Sequence, residues 1–247
     1  MNKRTFRRVF GYTAAVPKVT PHLVAGQDKR DLGRYSIPEA AAFIAMPQRT
    51  MRSWFLGERR IFKPAFRHGD SVYLSFNDVT EAYIVETLRK HWDFNPKKLR
   101  KALENLRRKT RLERPLIQRK LSVIPEFQSL VAEVPEKGKN TYVDVAHDQN
   151  LVFEGFVKSM AMRITRDAKG RPVRIYPWKE AESDETPVSM DPDVMSGELV
   201  VTGTRIPAKM ILAKKMAGKT SVEIADSYQL SRALIEKVLQ HFEREEP

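Results

Sequence analysis

Cysteine is absent from the 247 residues. That removes disulfide scaffolds, thiolate zinc sites and cysteine nucleophiles together, and it fits a reducing, cytoplasmic setting. Long apolar runs are missing too. Nothing approaches the roughly 20 residues that a membrane-spanning helix requires, so no membrane partner is expected. The basic opening MNKRTFRRVF leads into GYTAAVPKVT, too short and too broken for the core of a signal peptide. Enzyme signatures are lacking as well. His22, His68, His91, His147 and His241 never stand at H-x-x-x-H or H-x-x-E-H spacing. There is no Gly-x-Ser-x-Gly elbow, no Walker Gly-Lys-Ser/Thr and no Gly-x-Gly-x-x-Gly. Asp144, Asp148, Glu154 and Asp167 offer the material of a divalent-metal nuclease site, but a solvated sheet edge explains them better. The expectation is a protein that is not an enzyme and holds neither metal nor cofactor.

What the chain does have is positive charge in one place. Residues 1–120 hold 27 Lys and Arg against 11 Asp and Glu, while residues 121–247 hold 17 against 20. The net charge of +13 is therefore a property of the N-terminal half. Such asymmetry points to a polyanion-binding part joined to a part that binds something else.

Residues 1–34 mix basic residues with Gly, Pro and Thr and read as an irregular arm. Ser36 and Glu39 then form a capping box for a first helix. Met46-Pro47 breaks that helix, and a second follows with Met51, Trp54 and Phe55 at i, i+3 and i+4. Gly57 ends the second helix, and residues 59–74 read as a hairpin turning at Gly69-Asp70. Ser75 and Asp78 cap a third helix through Val79 and Tyr83. Asn95-Pro96 opens a fourth, with Leu99, Leu103 and Leu106 on one face. Its other faces carry Lys97, Lys98, Arg100, Lys101, Arg107, Arg108 and Lys109. Residues 121–178 contain LSVIP, TYVDVA, LVFEGFV and RPVRIYPW, the runs of a small central α/β segment with a turn at Lys169-Gly170. KEAESDET, within 179–187, has the composition of an acidic linker.

The pair of helices over 36–56 has the form of a DNA-reading helix-turn-helix. With Met51, Trp54 and Phe55 inward, Gln48, Arg49, Thr50, Arg52 and Ser53 point outward. Arg suits guanine, Gln suits adenine, and Ser and Thr suit phosphate or base. The following hairpin, with Arg59, Arg60, Lys63 and Arg67, would be a wing on the DNA backbone. A plain helical hairpin with a polar face is the bland alternative; the basic segment around it favours DNA. SIPEAAAFIAMPQRTMRSWFLGE and LSFNDVTEAYIVETLRKHWDFNPKKLRKALENL resemble the winged helix-turn-helix of MerR-like regulators over roughly 35–109. The DNA-binding domain, including its basic helix, is set at 35–120. MerR sensors often bind effectors through cysteines, which this chain lacks, so effector sensing is not carried over.

The C-terminal segment, 188–247, begins with a short extended stretch around Leu199-Val200-Val201. A helix follows to Ala217, stopped by Gly218. Thr220 and Glu223 cap a second helix and Ser231 a third, whose Leu234, Ile235, Val238, Leu239 and Phe242 share a buried face. Gly203 allows a backbone conformation other residues resist, Pro207 suits a first helical turn, and Arg205 could pair bidentately with a carboxylate. Residues 190–247 hold 8 Lys and Arg against 9 Asp and Glu, leaving little means of displacing phosphate counterions. This unit is therefore expected to bind protein, not DNA. Asp191, Pro192, Gly197, Gly203, Thr204, Arg205, Ile206, Pro207, Ala217, Gly218 and Tyr228 resemble a VapB-type antitoxin domain, of the kind encoded beside PIN-like ribonuclease toxins.

The expected fold class is α+β: an N-terminal winged helix-turn-helix, a central α/β part that spaces the ends, and a C-terminal helix-turn-helix-like three-helix domain. The resemblance implies the antitoxin of a type II pair, a homodimer that binds operator DNA and sterically blocks a PIN-like toxin. Gly203, Thr204, Arg205, Ile206 and Pro207 would form its motif, with Arg205 or the Lys214-Lys215 pair reaching the toxin. The alternative is a MerR-like transcriptional regulator whose C-terminal part binds a protein or ligand, with no toxin.

Overall fold

The computed structural model describes residues 28–243, apart from 59, 65, 69–70, 93–95, 119–120, 125–128, 137–138, 145–162 and 179–184. The arm over 1–27, Arg59, the Gly69-Asp70 turn, His147, Asp148, Glu154 and most of the acidic linker lie outside the described residues. The fold is mixed α+β. The chain divides into two compact units: residues to Asp78 together with those from Arg174 onward, and Val79–Val173. The two ends thus share one unit, where the sequence reading separates them by a central spacer.

In the first unit, residues 28–34, expected to belong to the arm, are ordered. Asp28 caps a short 3-10 turn over Lys29–Asp31, Leu32 is buried, and Asn77 donates to the Asp31 carboxylate at 2.7 Å. Strand β1 (Tyr35–Ser36) leads into α1 (Ile37–Phe43). The capping box forms: Ser36 N donates to Glu39 at 3.0 Å, and Glu39 N to Ser36 Oγ at 3.4 Å. Ala45 turns left-handed at φ 52, and Pro47 begins α2 (Gln48–Leu56). Strands β2 (Phe66–His68) and β3 (Ser71–Leu74) pair antiparallel, and β1 lies on the other side of β3. The hairpin is shorter than 59–74 because Arg60, Ile61 and Phe62 fold back on α2, where Ile61 and Phe62 both donate to Trp54 O. Ser75 and Asp78 cap α3 (Phe76–Trp92) reciprocally, at 2.9 and 3.0 Å.

The unit resumes at Arg174. Strand β8 (Pro172–Ile175) sets Ile175 opposite Met190 of β9 (Val188–Met190). Strand β9 pairs antiparallel with β10 (Leu199–Val201). All six residues of β9 and β10 are buried. Helices α6 (Ala208–Met216), α7 (Ser221–Tyr228) and α8 (Arg232–Glu243) follow. Ile211, Leu212, Ile224, Ile235, Val238 and Phe242 are core; Leu234, expected among them, is half-buried. Gly218 stops α6 with φ +88.

The Thr220 cap is testable. Thr220 N donates to Glu223 at 2.8 Å and Glu223 N to Thr220 Oγ1 at 3.2 Å. Thr220→Ala should cost about 1 kcal/mol of unfolding free energy, read from the urea midpoint. The Thr220 backbone N–H, then Lys219, holds the Glu223 carboxyl down to about 2 from 4.5. Its folded value lies below the unfolded one. Its stabilisation is therefore complete above about 4.5 and fades as pH falls through about 2.

The second unit holds the rest of α3, α4 (Pro96–Thr110) and α5 (Pro115–Gln118). The expected small sheet is a meander of β4 (Leu121–Ile124), β5 (Ser129–Glu136) and β6 (Lys139–Asp144). Leu121 stands opposite Ala132, and Val131 opposite Asp144. Two buried carboxylates are paired: Arg114 donates to Glu81 at 2.8 Å, and Arg89 holds Glu86 at 2.9 and 2.7 Å. Strand β7 (Ile164–Arg166) precedes the turn expected at Lys169-Gly170, where Gly170 N donates to Asp167 O.

Candidate nucleic-acid interface

Helix α2 is held by its apolar stripe. Met51, Trp54 and Phe55 are buried, and Phe62 packs its ring against Trp54 and Phe55 at centroid distances of 6.3 and 5.3 Å. With that side pinned, the 100° step of the helix turns Gln48, Arg49, Arg52 and Ser53 outward, and all four are exposed. Thr50, expected with them, is half-buried. It stands four residues before Trp54, on the flank of the stripe. Helix α2 contains no acidic residue, and Pro47 supplies no side-chain cap to its first turn.

The hairpin β2–β3 supplies Arg67, exposed and opposite Val72. Arg60 and Lys63 are also exposed, but they precede β2 in irregular chain. The basic residues expected on the wing are thus spread over its approach as well as its strands.

In the C-terminal part the motif forms a closed turn. Val201 N donates to Ile206 O at 2.9 Å, and Thr204 N to Val201 O at 3.0 Å. The Thr204 hydroxyl donates to Val201 O at 2.9 Å and accepts from Ile206 N at 3.0 Å. Gly203 has φ +77, the left-handed conformation expected of it. Pro207 is the N-cap of α6. Arg205 projects from this turn, exposed. Lys214 is tied down instead: it donates to Ser227 Oγ at 3.1 Å and lies 4.8 Å over the Tyr228 ring. Lys215 is exposed.

Sequence reasoning missed the residues that join the two ends. Tyr35 donates to Gly197 O at 3.0 Å, and Arg34 to Ser196 O at 3.0 Å. Lys29 pairs with Asp193. Trp178, assigned to the central segment, donates to Phe43 O at 3.1 Å and stacks on His241 at 4.0 Å. Burial pushes the Tyr35 phenol far above its ordinary ionisation, so it remains a donor. Isolated aromatics near breaks in the helical pattern were the available signal.

Asp167, named for a nuclease, spends its carboxylate locally. It accepts from Lys169 N and Arg171 N, both at 2.9 Å, and from Arg171 Nε at 2.8 Å. The Arg171 backbone N–H is the main influence holding it at about 2. Among the described residues no group of three His, Asp or Glu is placed to hold a metal, and no helix is long and apolar enough to cross a membrane.

Comparison with known proteins bears on the fold and on one segment of the chain. No curated protein matches the chain. In structure it is similar to the crystal structure of Rv2018 from Mycobacterium tuberculosis, with a TM-score of 0.59 and 19% identity, over 84% of this chain and 98% of that one. Residues 188–241 match a family described as "Protein of unknown function (DUF433)".

Proposed function

We propose that this protein is the antitoxin of a two-gene toxin–antitoxin pair, which represses its own operon and neutralises a PIN-like ribonuclease. The observation that carries the reading is α2. A short helix pinned by three buried side chains offers Gln48, Arg49, Arg52 and Ser53 to solvent, with exposed Arg60, Lys63 and Arg67 beside it in sequence. Those groups suit base edges and phosphates. A homodimer would place two such helices on successive turns of a palindrome.

The toxin half of the reading rests on the resemblance of 189–243 and on Arg205. This guanidinium stands at the surface of a turn stiffened by its own hydrogen bonds, which suits bidentate capture of a carboxylate. Occluding a carboxylate-lined metal site by bulk asks no catalytic group of this chain. Lys214, held on Tyr228, is a weaker candidate than Lys215 or Arg205.

Co-expression with the neighbouring reading frame tests the proposal. A short PIN-like protein that co-elutes with the full chain is the expected result. A neighbour of another kind, with operator binding intact, favours the MerR-like regulator without a toxin. Arg49→Ala and Arg52→Ala should each weaken operator binding by about 1–3 kcal/mol if they read bases, measured by fluorescence anisotropy. Unchanged affinity in both would remove α2 from the groove. The full chain is the proper reagent, since the two ends fold as one unit.

A further inference from the structure

We propose that the outer face of α4 is a second, sequence-independent phosphate-binding surface for duplex DNA, carried by the unit that lacks α2. The inference rests on the operator-binding reading above. Lys97, Lys101 and Arg108 are exposed, while Leu103 on the opposite side is 1% exposed. At 100° per residue the three cations fall within about 40° of one another, a straight stripe about 16 Å long. Duplex DNA presents one phosphate charge per about 1.7 Å of its axis, so such a stripe meets several.

The arrangement works against the helix that carries it. Lys97 and Lys98 occupy a first turn with no acidic residue, where the helix dipole is already positive. Lys97 and Lys101 are like charges at i, i+4. Glu104 is the sole acid in the fifteen residues. A helix shaped only for stability would carry acids at its start and alternate its charges. Phosphates lying along the stripe would offset the like charge of Lys97 and Lys101. A membrane surface fits less well, because an interfacial helix needs its apolar face free to enter lipid, and Leu103 is buried within the protein.

The test is the full chain carrying Lys97→Gln, Lys101→Gln and Arg108→Gln together, with two probes: the duplex upstream of its own gene and a duplex of arbitrary sequence. Affinity for both should fall, and the slope of log affinity against log salt should shrink by up to about 2.7, at about 0.9 per phosphate contact. Preference for the upstream duplex should survive. The far-ultraviolet circular dichroism without DNA should stay that of the wild type, so that the lost affinity is read as lost phosphate contact and not as lost fold. Arg49→Ala with Arg52→Ala should do the converse, removing preference. An unchanged salt slope in the triple variant, with wild-type binding intact, overturns the stripe alone. A wild-type chain that binds neither duplex overturns the operator reading and the stripe with it. Loss of binding to anionic vesicles or to an acidic protein, with duplex binding unaffected, assigns the stripe to another partner and overturns it too.

Discussion

Trp178→Ala should lower the unfolding free energy by about 3–5 kcal/mol, read from urea titration by far-ultraviolet circular dichroism. The side chain is 4% exposed. Its ring stacks on His241 and meets Phe242 edge-on at 4.9 Å. Its N–H closes the Phe43 carbonyl at 3.1 Å, at the end of α1 where helical partners run out. Truncation therefore opens a cavity and strands a buried acceptor at once. Trp178→Phe separates most of the two effects, since it keeps the greater part of the volume and loses the donor, for about 1–3 kcal/mol. Equal midpoints for wild type and Trp178→Ala would show that the first and last helices do not depend on each other.

Gly197→Ala should be nearly as damaging, about 2–5 kcal/mol. The residue has φ +85, where a side chain costs about 1–2 kcal/mol. An added Cβ would also stand 2.0 Å from the Tyr35 hydroxyl, and relieving such crowding costs about 1–3 kcal/mol more. Tyr35→Phe alone should destabilise as well, because it leaves the Gly197 carbonyl without its donor. Combined, the two should cost less than their sum, since removing the hydroxyl makes room for the methyl. Strict additivity in this cycle would mean that the clash is not what Gly197 avoids. In that case φ alone would account for the glycine. The result bears on the proposed function: a glycine just before β10 supports β1, the strand that leads into the candidate DNA-reading helices.

The local rules were legible. Ser36 with Glu39, Ser75 with Asp78 and Thr220 with Glu223 each announce a helix start and each forms its reciprocal hydrogen bonds. The spacing of Met51, Trp54 and Phe55 announces which side of α2 is buried, and with it which side chains face out. Gly203 and Gly218 turn left-handed where their positions require it. These features depend on residues within about one helical turn of each other, so one dimension contains them.

Other features were not. Val188, Ser189 and Met190 are too few to show a period, and nothing in their order announces that Ser189 is buried with its neighbours along the whole of β9. Residues 28–34 show no period because their single 3-10 turn is too short for one, and they are held instead by buried Leu32 and by the Asn77–Asp31 hydrogen bond.

Most consequential is the union of the ends. Tyr35 and Gly197 lie 162 positions apart, and Phe43 and Trp178 lie 135 apart. A partnership over such distances leaves no mark on spacing or composition, because any buried aromatic is consistent with any core. Helix starts, turn glycines and the basic face of α4 follow from residue order. Which surfaces are withdrawn from water, and the joining of the C-terminal segment to β1 and α1, come only from the three-dimensional packing that satisfies those distant groups together.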